Sequence, residues 1–423
     1  MPDVSFVNLL IVCLVAAAAP LTLGFAPRLR VPAVIVEIVA GIVLGPSVLG
    51  WVKVDLPVQI LSLIGLAFLL FLSGLEIDAH RLRGRLLRLA LLGYLVTLAL
   101  GAPIGVGLHR LGWVHSPLLL AIALSATSLG LIVPVLKDAR QADGEAGQTA
   151  IVAGTVADFS AILLLSLFFS ASGGSTGSRL VLVIAFATLV AITGLVVSRA
   201  GRSMRLGAVL LRLQDTTAEI RVRFAVVLLV AFTALAEQFG LESILGAFLA
   251  GVVVSIVDRD SASHPRFRSK LDALGFGFLI PVFFISSGIR LDLKGLLDNP
   301  SALLRVPIFL LALLLVRRVP ALLYVRGLGR RSALAAGLLQ ATSLPFIVTA
   351  TQIGVQLGRI SPVTAAALVF AGLLSVLIFP VVALTLLRGG DSPLPTGLGG
   401  TRQLEPVTVL VPRHRHRDSH EFR

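Results

Sequence analysis

A single cysteine, Cys13, stands in 423 residues. One thiol cannot close a disulfide within the chain, and no thiol chemistry is suggested. Charge is scarce too: Asp, Glu, Lys and Arg make up 14% of the chain, against 56% hydrophobic residues. With a mean hydropathy of +0.97, a soluble protein could not cover its own surface, which leaves a polytopic membrane protein. Acidic residues number 22 against 36 basic ones, a formal charge of +14. Such an excess can signal nucleic-acid binding, but most of these basic residues sit in short loops between apolar runs. That is a topology signal, so no nucleic-acid partner is expected. No basic stretch precedes the first apolar run; Arg28 and Arg30 follow it, so the run reads as a span rather than a signal peptide. The spans hold no cluster of His or other metal ligands, which argues against an intramembrane enzyme and leaves no cofactor to expect.

What the chain does have is apolar runs of bilayer-crossing length. The pattern predicts an all-α polytopic protein with thirteen spans, at roughly 4–26, 32–50, 57–76, 88–109, 116–136, 147–171, 179–198, 221–239, 241–257, 272–289, 302–326, 332–355 and 361–387. With the N-terminus outside, the cytoplasmic loops hold 21 Lys and Arg and the outer loops seven, which predicts N-out and C-in. The loop at 199–220 is expected to form an amphipathic cytoplasmic helix. Residues 389–423 read as a disordered basic tail near anionic lipid, with metal binding through His414, His416 and His420 as the lesser reading.

Two segments recur. ATSLGLIV at 126–133 returns as ATSLPFIV at 341–348, sharing six of eight residues, 215 positions on. SGLEID at 73–78 returns as SGIRLD at 287–292, 214 positions on. Seven spans separate each pair, an odd number, so the copies cross the bilayer in opposite directions. The halves, spans 1–6 and 8–13, then form an inverted repeat, an organisation of secondary transporters.

Nearly all acidic residues sit in loops or at span ends; Asp158 is near the middle of span 6. A charge there costs roughly 2.5–3.5 kcal/mol on insertion scales, so it is expected to face a cavity or a partner. Gly154, Thr155 and Ala161 around it leave room for water, an ion or a close-packed backbone. The matching cation is in span 11, where Arg317 and Arg318 interrupt an apolar run; Arg317 is favoured as the buried one, and the other can snorkel. Thr127, Ser128, Thr342 and Ser343 bring hydroxyls to mid-span in the repeated octets. Gly130 and Pro134 in one copy and Pro345 in the other are expected to break both helices. Broken helices expose partial charges, and hydroxyls with freed carbonyls are hard ligands for a small monovalent cation. Glu37 is expected in an interhelix hydrogen bond, Glu76 and Asp78 beside the following Arg cluster, and Glu237 and Glu242 in water. Gly41, Gly45, Gly246 and Gly251 read as close helix packing, since no strand precedes them.

These elements together resemble the monovalent cation:proton antiporter superfamily, the branch with bacterial sodium/proton exchangers and Kef-type potassium efflux systems. The matching segments are AGIVLGPSVLG, GLAFLLFLSGLEID, ALSATSLGLIVPVLKD, TVADFSAILL, GLESILGAFLAG and PVFFISSGIRLDL, in family order over about residues 1–388. The resemblance implies a homodimer in the bacterial plasma membrane, with discontinuous helices crossing in spans 5 and 12. Spans 1–3 and 8–10 (within 1–110 and 221–290) would form a panel. Spans 4–6 and 11–13 (88–171 and 302–388) would form a moving core. The family's ion- and proton-binding aspartate falls on Asp158 and its basic residue on Arg317, less securely Arg318.

One departure is informative. Where many electrogenic members have a second acid, and others Asn or Gln, this chain has Ala157. One titratable carboxylate and a fixed Arg imply exchange of one proton for one Na+ or K+ without net charge, by alternating access. The tail is too short for the nucleotide-binding domain of Kef systems. An organic-anion symporter of the same architecture and a transport-inactive membrane sensor are the other readings.

Overall fold

The computed structural model describes residues 5–25, 32–77, 84–169, 176–201, 219–257 and 265–388, and every regular element among them is helical. In order they are α1 (Val7–Phe25), α2 (Ala33–Leu44), α3 (Leu56–Leu75), α4 (Gly84–Arg110), α5 (Pro117–Ser125) and α6 (Leu129–Asp138). Then come α7 (Glu145–Phe169), α8 (Thr176–Gly201), α9 (Ile220–Gln238), α10 (Ser243–Val257) and α11 (Pro265–Leu274). α11 runs through a π turn (Gly275–Leu279) into α12 (Ile280–Ile289). After it follow α13 (Leu293–Leu297), α14 (Pro300–Ala321), α15 (Val325–Gln340), α16 (Pro345–Gln356) and α17 (Pro362–Arg388). Among the described residues, seven helical stretches are long and apolar enough to cross a bilayer. α5, α14, α16 and α17 start on proline, where the missing N–H and fixed φ suit a helix start. The linker helix expected within 199–220 falls mostly on residues 202–218. These, with Asp78 and the tail from 389, lie outside the described residues.

The helices sort by packing into two groups. α1, α2, α3, α9, α10 and α12 pack chiefly on one another, as do α4, α5, α7, α14, α15, α16 and α17. Within the first group two crossings share one geometry. Gly41 of α2 meets the carbonyl of Ile285 while Gly288 of α12 meets that of Ile38. Gly74 of α3 meets the carbonyl of Phe248 while Gly251 of α10 meets that of Phe71. A methyl on any of the four would stand 2.0–2.2 Å from the facing oxygen, so only glycine lets these backbones approach. Gly246 meets Phe232 in the same way.

α3 and α12 run antiparallel. Ser62 and Ser286 share a hydrogen bond of 2.5 Å, Gly65 faces Leu279, and Gly275 faces Phe68 and Leu72. The related SGLEID and SGIRLD segments therefore begin at opposite ends of this pair.

Candidate functional site

Both repeated octets open a helix. α5 stops at Ser125 and α6 starts at Leu129, with Ala126 extended between them; α15 stops at Gln340 and α16 starts at Pro345. Pro345 thus stands at a break. Gly130 and Pro134 do not: both lie inside α6, and the first break falls on Ala126–Ser128 instead. The reason is a carboxylate from another helix. Asp158 on α7 accepts the N–H of Thr127 at 2.9 Å and that of Leu129 at 3.4 Å, taking the place of carbonyls that a continuous helix would supply. The room left by Gly154 is filled by the side chain of Leu129, whose Cδ2 would lie 2.8 Å from a methyl there.

Asp158 is 6% exposed and Arg317, on α14, 2%. They form no direct ion pair and meet through Thr127. The Arg317 guanidinium donates to the Thr127 hydroxyl, which donates in turn to the carbonyl of Gln340 at 3.0 Å. One threonine thereby links the carboxylate, the guanidinium and the C-terminal end of α15. A second bridge joins the breaks: the N–H of Leu344 donates to the Ser128 hydroxyl at 3.4 Å. Arg318 is exposed on the other side of α14 and takes no part, because adjacent helical residues point about 100° apart.

The four octet hydroxyls are all buried but differ in what they reach. Ser128 lines a cavity of about 30 Å³ with Asp158, Thr127, Ser73, Gly130 and Pro345, room for one water or a small bare cation. Thr342 turns back to the carbonyl of Leu338 at 3.3 Å. Ser343 holds Ser375 through its backbone, and its hydroxyl, like Arg317 Nε and Gln340 Nε2, has no hydrogen-bond partner. A second cavity of about 10 Å³ shares Leu69, Ser73, Gly130 and Phe276 with it and is also lined by Glu76, Arg268 and Asp272.

Sequence reasoning missed Gln340, Tyr94 and Ser375. Gln340 precedes its octet as Ser125 precedes the other, and Ser125 shares a 3.1 Å hydrogen bond with the buried Tyr94. That shared polar position was the available signal. Glu37 is buried but makes none of the interhelix hydrogen bonds expected of it among the described residues. Glu237 is exposed, and Glu242 is half-buried rather than fully in water.

Residues 13–388 match the family model for the sodium/hydrogen exchanger, transmembrane. YjbQ of Bacillus subtilis (strain 168), which carries an Na(+)/H(+) antiporter name, is 31% identical over 98% of this chain and 69% of its own length. The Na(+)/H(+)-K(+) antiporter GerN of Bacillus cereus is 27% identical over 67% of this chain and 72% of its own. The solved structure of the sodium proton antiporter MjNhaP1 from Methanocaldococcus jannaschii at pH 8 superposes with a TM-score of 0.63. That match is 17% identical and covers 90% of this chain and 96% of the other. Helical throughout the described residues, the fold is that of a polytopic antiporter.

Proposed function

This chain belongs to the sodium/hydrogen exchanger family, whose members are transporters, and we propose that it exchanges protons for Na+ or K+ at Asp158. The observation that carries this reading is the placement of the carboxylate. It is buried, held by the amides that open α6, and faces a cavity the size of one small ion. A carboxylate there takes a proton or a cation but not both, so each ion displaces the other. Ser128 and Thr127 add oxygen ligands beside it. Arg317 remains charged throughout and offsets the negative charge when the site is empty. One carboxylate exchanging one proton for one monovalent cation moves no net charge, and no cofactor enters the cycle.

Alternating access in this proposal comes from an elevator-like movement of the group around α4, α5, α7, α14, α15, α16 and α17. The other group forms the panel and, through α1, the contact of a homodimer. The antiparallel α3–α12 pair and the twin glycine crossings support two inverted halves over thirteen spans. The charge count supports N-out and C-in in a bacterial plasma membrane. Potassium stays beside sodium because GerN is named for both. An organic anion would need more room than the cavity beside Asp158 offers.

The test is dequenching of a pH-sensitive dye in proteoliposomes on adding Na+ or K+. Wild type should dequench and Asp158→Asn should not, while remaining folded. Robust exchange by Asp158→Asn would sink the assignment of the site. A transport-linked current that reverses with the cation gradient would sink electroneutrality alone.

A further inference from the structure

We propose that Phe276, on the π turn between α11 and α12, is the gate that admits cations to Asp158 and limits the size of the ion that passes. The proposal rests on Asp158 being the exchange site.

The cavity at Asp158 and the smaller one at Glu76 share four residues, Leu69, Ser73, Gly130 and Phe276. These four form the partition between the two spaces. The smaller cavity is also lined by Arg268, which is exposed, and Asp272, which is half-buried, so it is the side nearer water. A cation that takes this route to the carboxylate has to cross the partition.

Three of its parts are fixed. Leu69 is 4% exposed and belongs to the main apolar core. Ser73 donates its hydroxyl to the carbonyl of Leu69 at 3.0 Å. Gly130 passes so near α3 that a methyl on it would stand 3.9 Å from both Leu69 Cδ1 and Ser73 Oγ. Phe276 differs from all three. It is 43% exposed, so its ring can swing without repacking the interior. Its backbone belongs to the π turn Gly275–Leu279, which holds one residue more than an α turn. Releasing that residue rotates the ring by about 100° around the helix axis. Gly275 anchors one side of the ring, since a methyl there would stand 2.7 Å from Leu72 and 3.0 Å from Phe68. On the other side, nothing lies within 4 Å of a methyl placed on Gly277.

With the ring in place, the cavity at Asp158 has about 30 Å³, room for a small cation but not for a larger one with its water. Phe284 and Phe346 also wall this cavity, but both are buried and neither lines the one at Glu76. Size selection at the entrance therefore falls to Phe276. Ser73 is the one polar side chain of the partition, so an ion passing the displaced ring meets a hydroxyl oxygen.

Phe276→Ala joins the two cavities, and the readout is the rate of dye dequenching driven by different cations in proteoliposomes. Cs+ and guanidinium are the large probes, and guanidinium keeps its proton at every working pH. Their rates relative to Na+ are expected to rise about tenfold, the scale on which a pocket wall discriminates by size. Phe276→Leu keeps the apolar packing and should shift the ratios the same way by less. Phe278, in the same turn and 40% exposed, lines neither cavity, so Phe278→Ala should leave the ratios unchanged. Thermal shifts in detergent identify the variants that remain folded. Ratios unchanged in the folded Phe276 variants, or shifted equally by Phe278→Ala, overturn the inference while wild-type exchange leaves the site intact. Wild type that carries Cs+ or guanidinium as fast as Na+ overturns it too. Absence of cation-driven exchange in wild type overturns the site with it.

Discussion

The hydroxyl of Thr127 donates to the carbonyl of Gln340 at 3.0 Å, so the start of one broken helix is tied to the end of the other. The same oxygen accepts from Arg317. Thr127→Val removes both bonds and leaves a buried guanidinium and a buried carbonyl short of partners, a cost of about 1–3 kcal/mol. We expect a clear fall in apparent Tm in detergent and loss of most exchange activity. Thr127→Ser, which restores both bonds, should recover both. A valine variant as stable and active as wild type would show that the link is idle.

Arg317 and Arg318 adjoin in sequence and differ in burial. Arg317→Ala leaves the Asp158 charge without its nearby cation and should lower both apparent Tm and exchange rate at least tenfold in the latter, on the scale of about 1.4 kcal/mol per factor of ten. Arg318→Ala should leave both near wild type. Dye-based exchange and thermal-shift measurements on the pair check this, and equal losses would place both arginines in the site.

Competition at one carboxylate also has a kinetic signature. Once Asp158 is largely protonated, each unit fall in pH should raise the apparent KM for the cation about tenfold, with little change in the maximal rate. Initial rates over a grid of pH and cation concentration measure this. A falling maximal rate at constant KM would point instead to separate proton and cation sites.

Glycine substitutions test the frame. Gly74→Ala and Gly288→Ala each place a methyl 2.2 Å from a facing carbonyl and should destabilise by similar amounts, about 1–3 kcal/mol. Gly107→Ala, on α4 with nothing within 4 Å, should be neutral or slightly stabilising. Thermal shifts for the three variants separate crowding from simple loss of flexibility.

The helical scaffold, the pairing of the two octets and the candidates Asp158 and Arg317 were legible because each leaves a local mark: an apolar run, a repeated string, a charge where none belongs. The position of the first break left no such mark. Gly130 and Pro134 are the obvious breakers, yet α6 runs through both, because the carboxylate that interrupts the backbone ladder is 31 residues away at Asp158. Gln340 and Tyr94 were hidden for a similar reason, since their partners lie on other helices. Glu37 shows the reverse: an embedded acid suggested a bond that the packing does not supply.

The glycine crossings have one more consequence. α2 presents Ile38 and Gly41 to Ile285 and Gly288, and α10 presents Phe248 and Gly251 to Phe71 and Gly74. On the proposed inverted repeat, each crossing joins a segment of one half to a segment of the other, and exchanging the halves exchanges the crossings. The contact surface is therefore self-complementary. A polypeptide of half this length could build the same frame from two identical copies inserted in opposite senses. Fusion through α8 would fix that arrangement and free each half to diverge, so that Glu76 in one segment stands where Arg290 stands in the other.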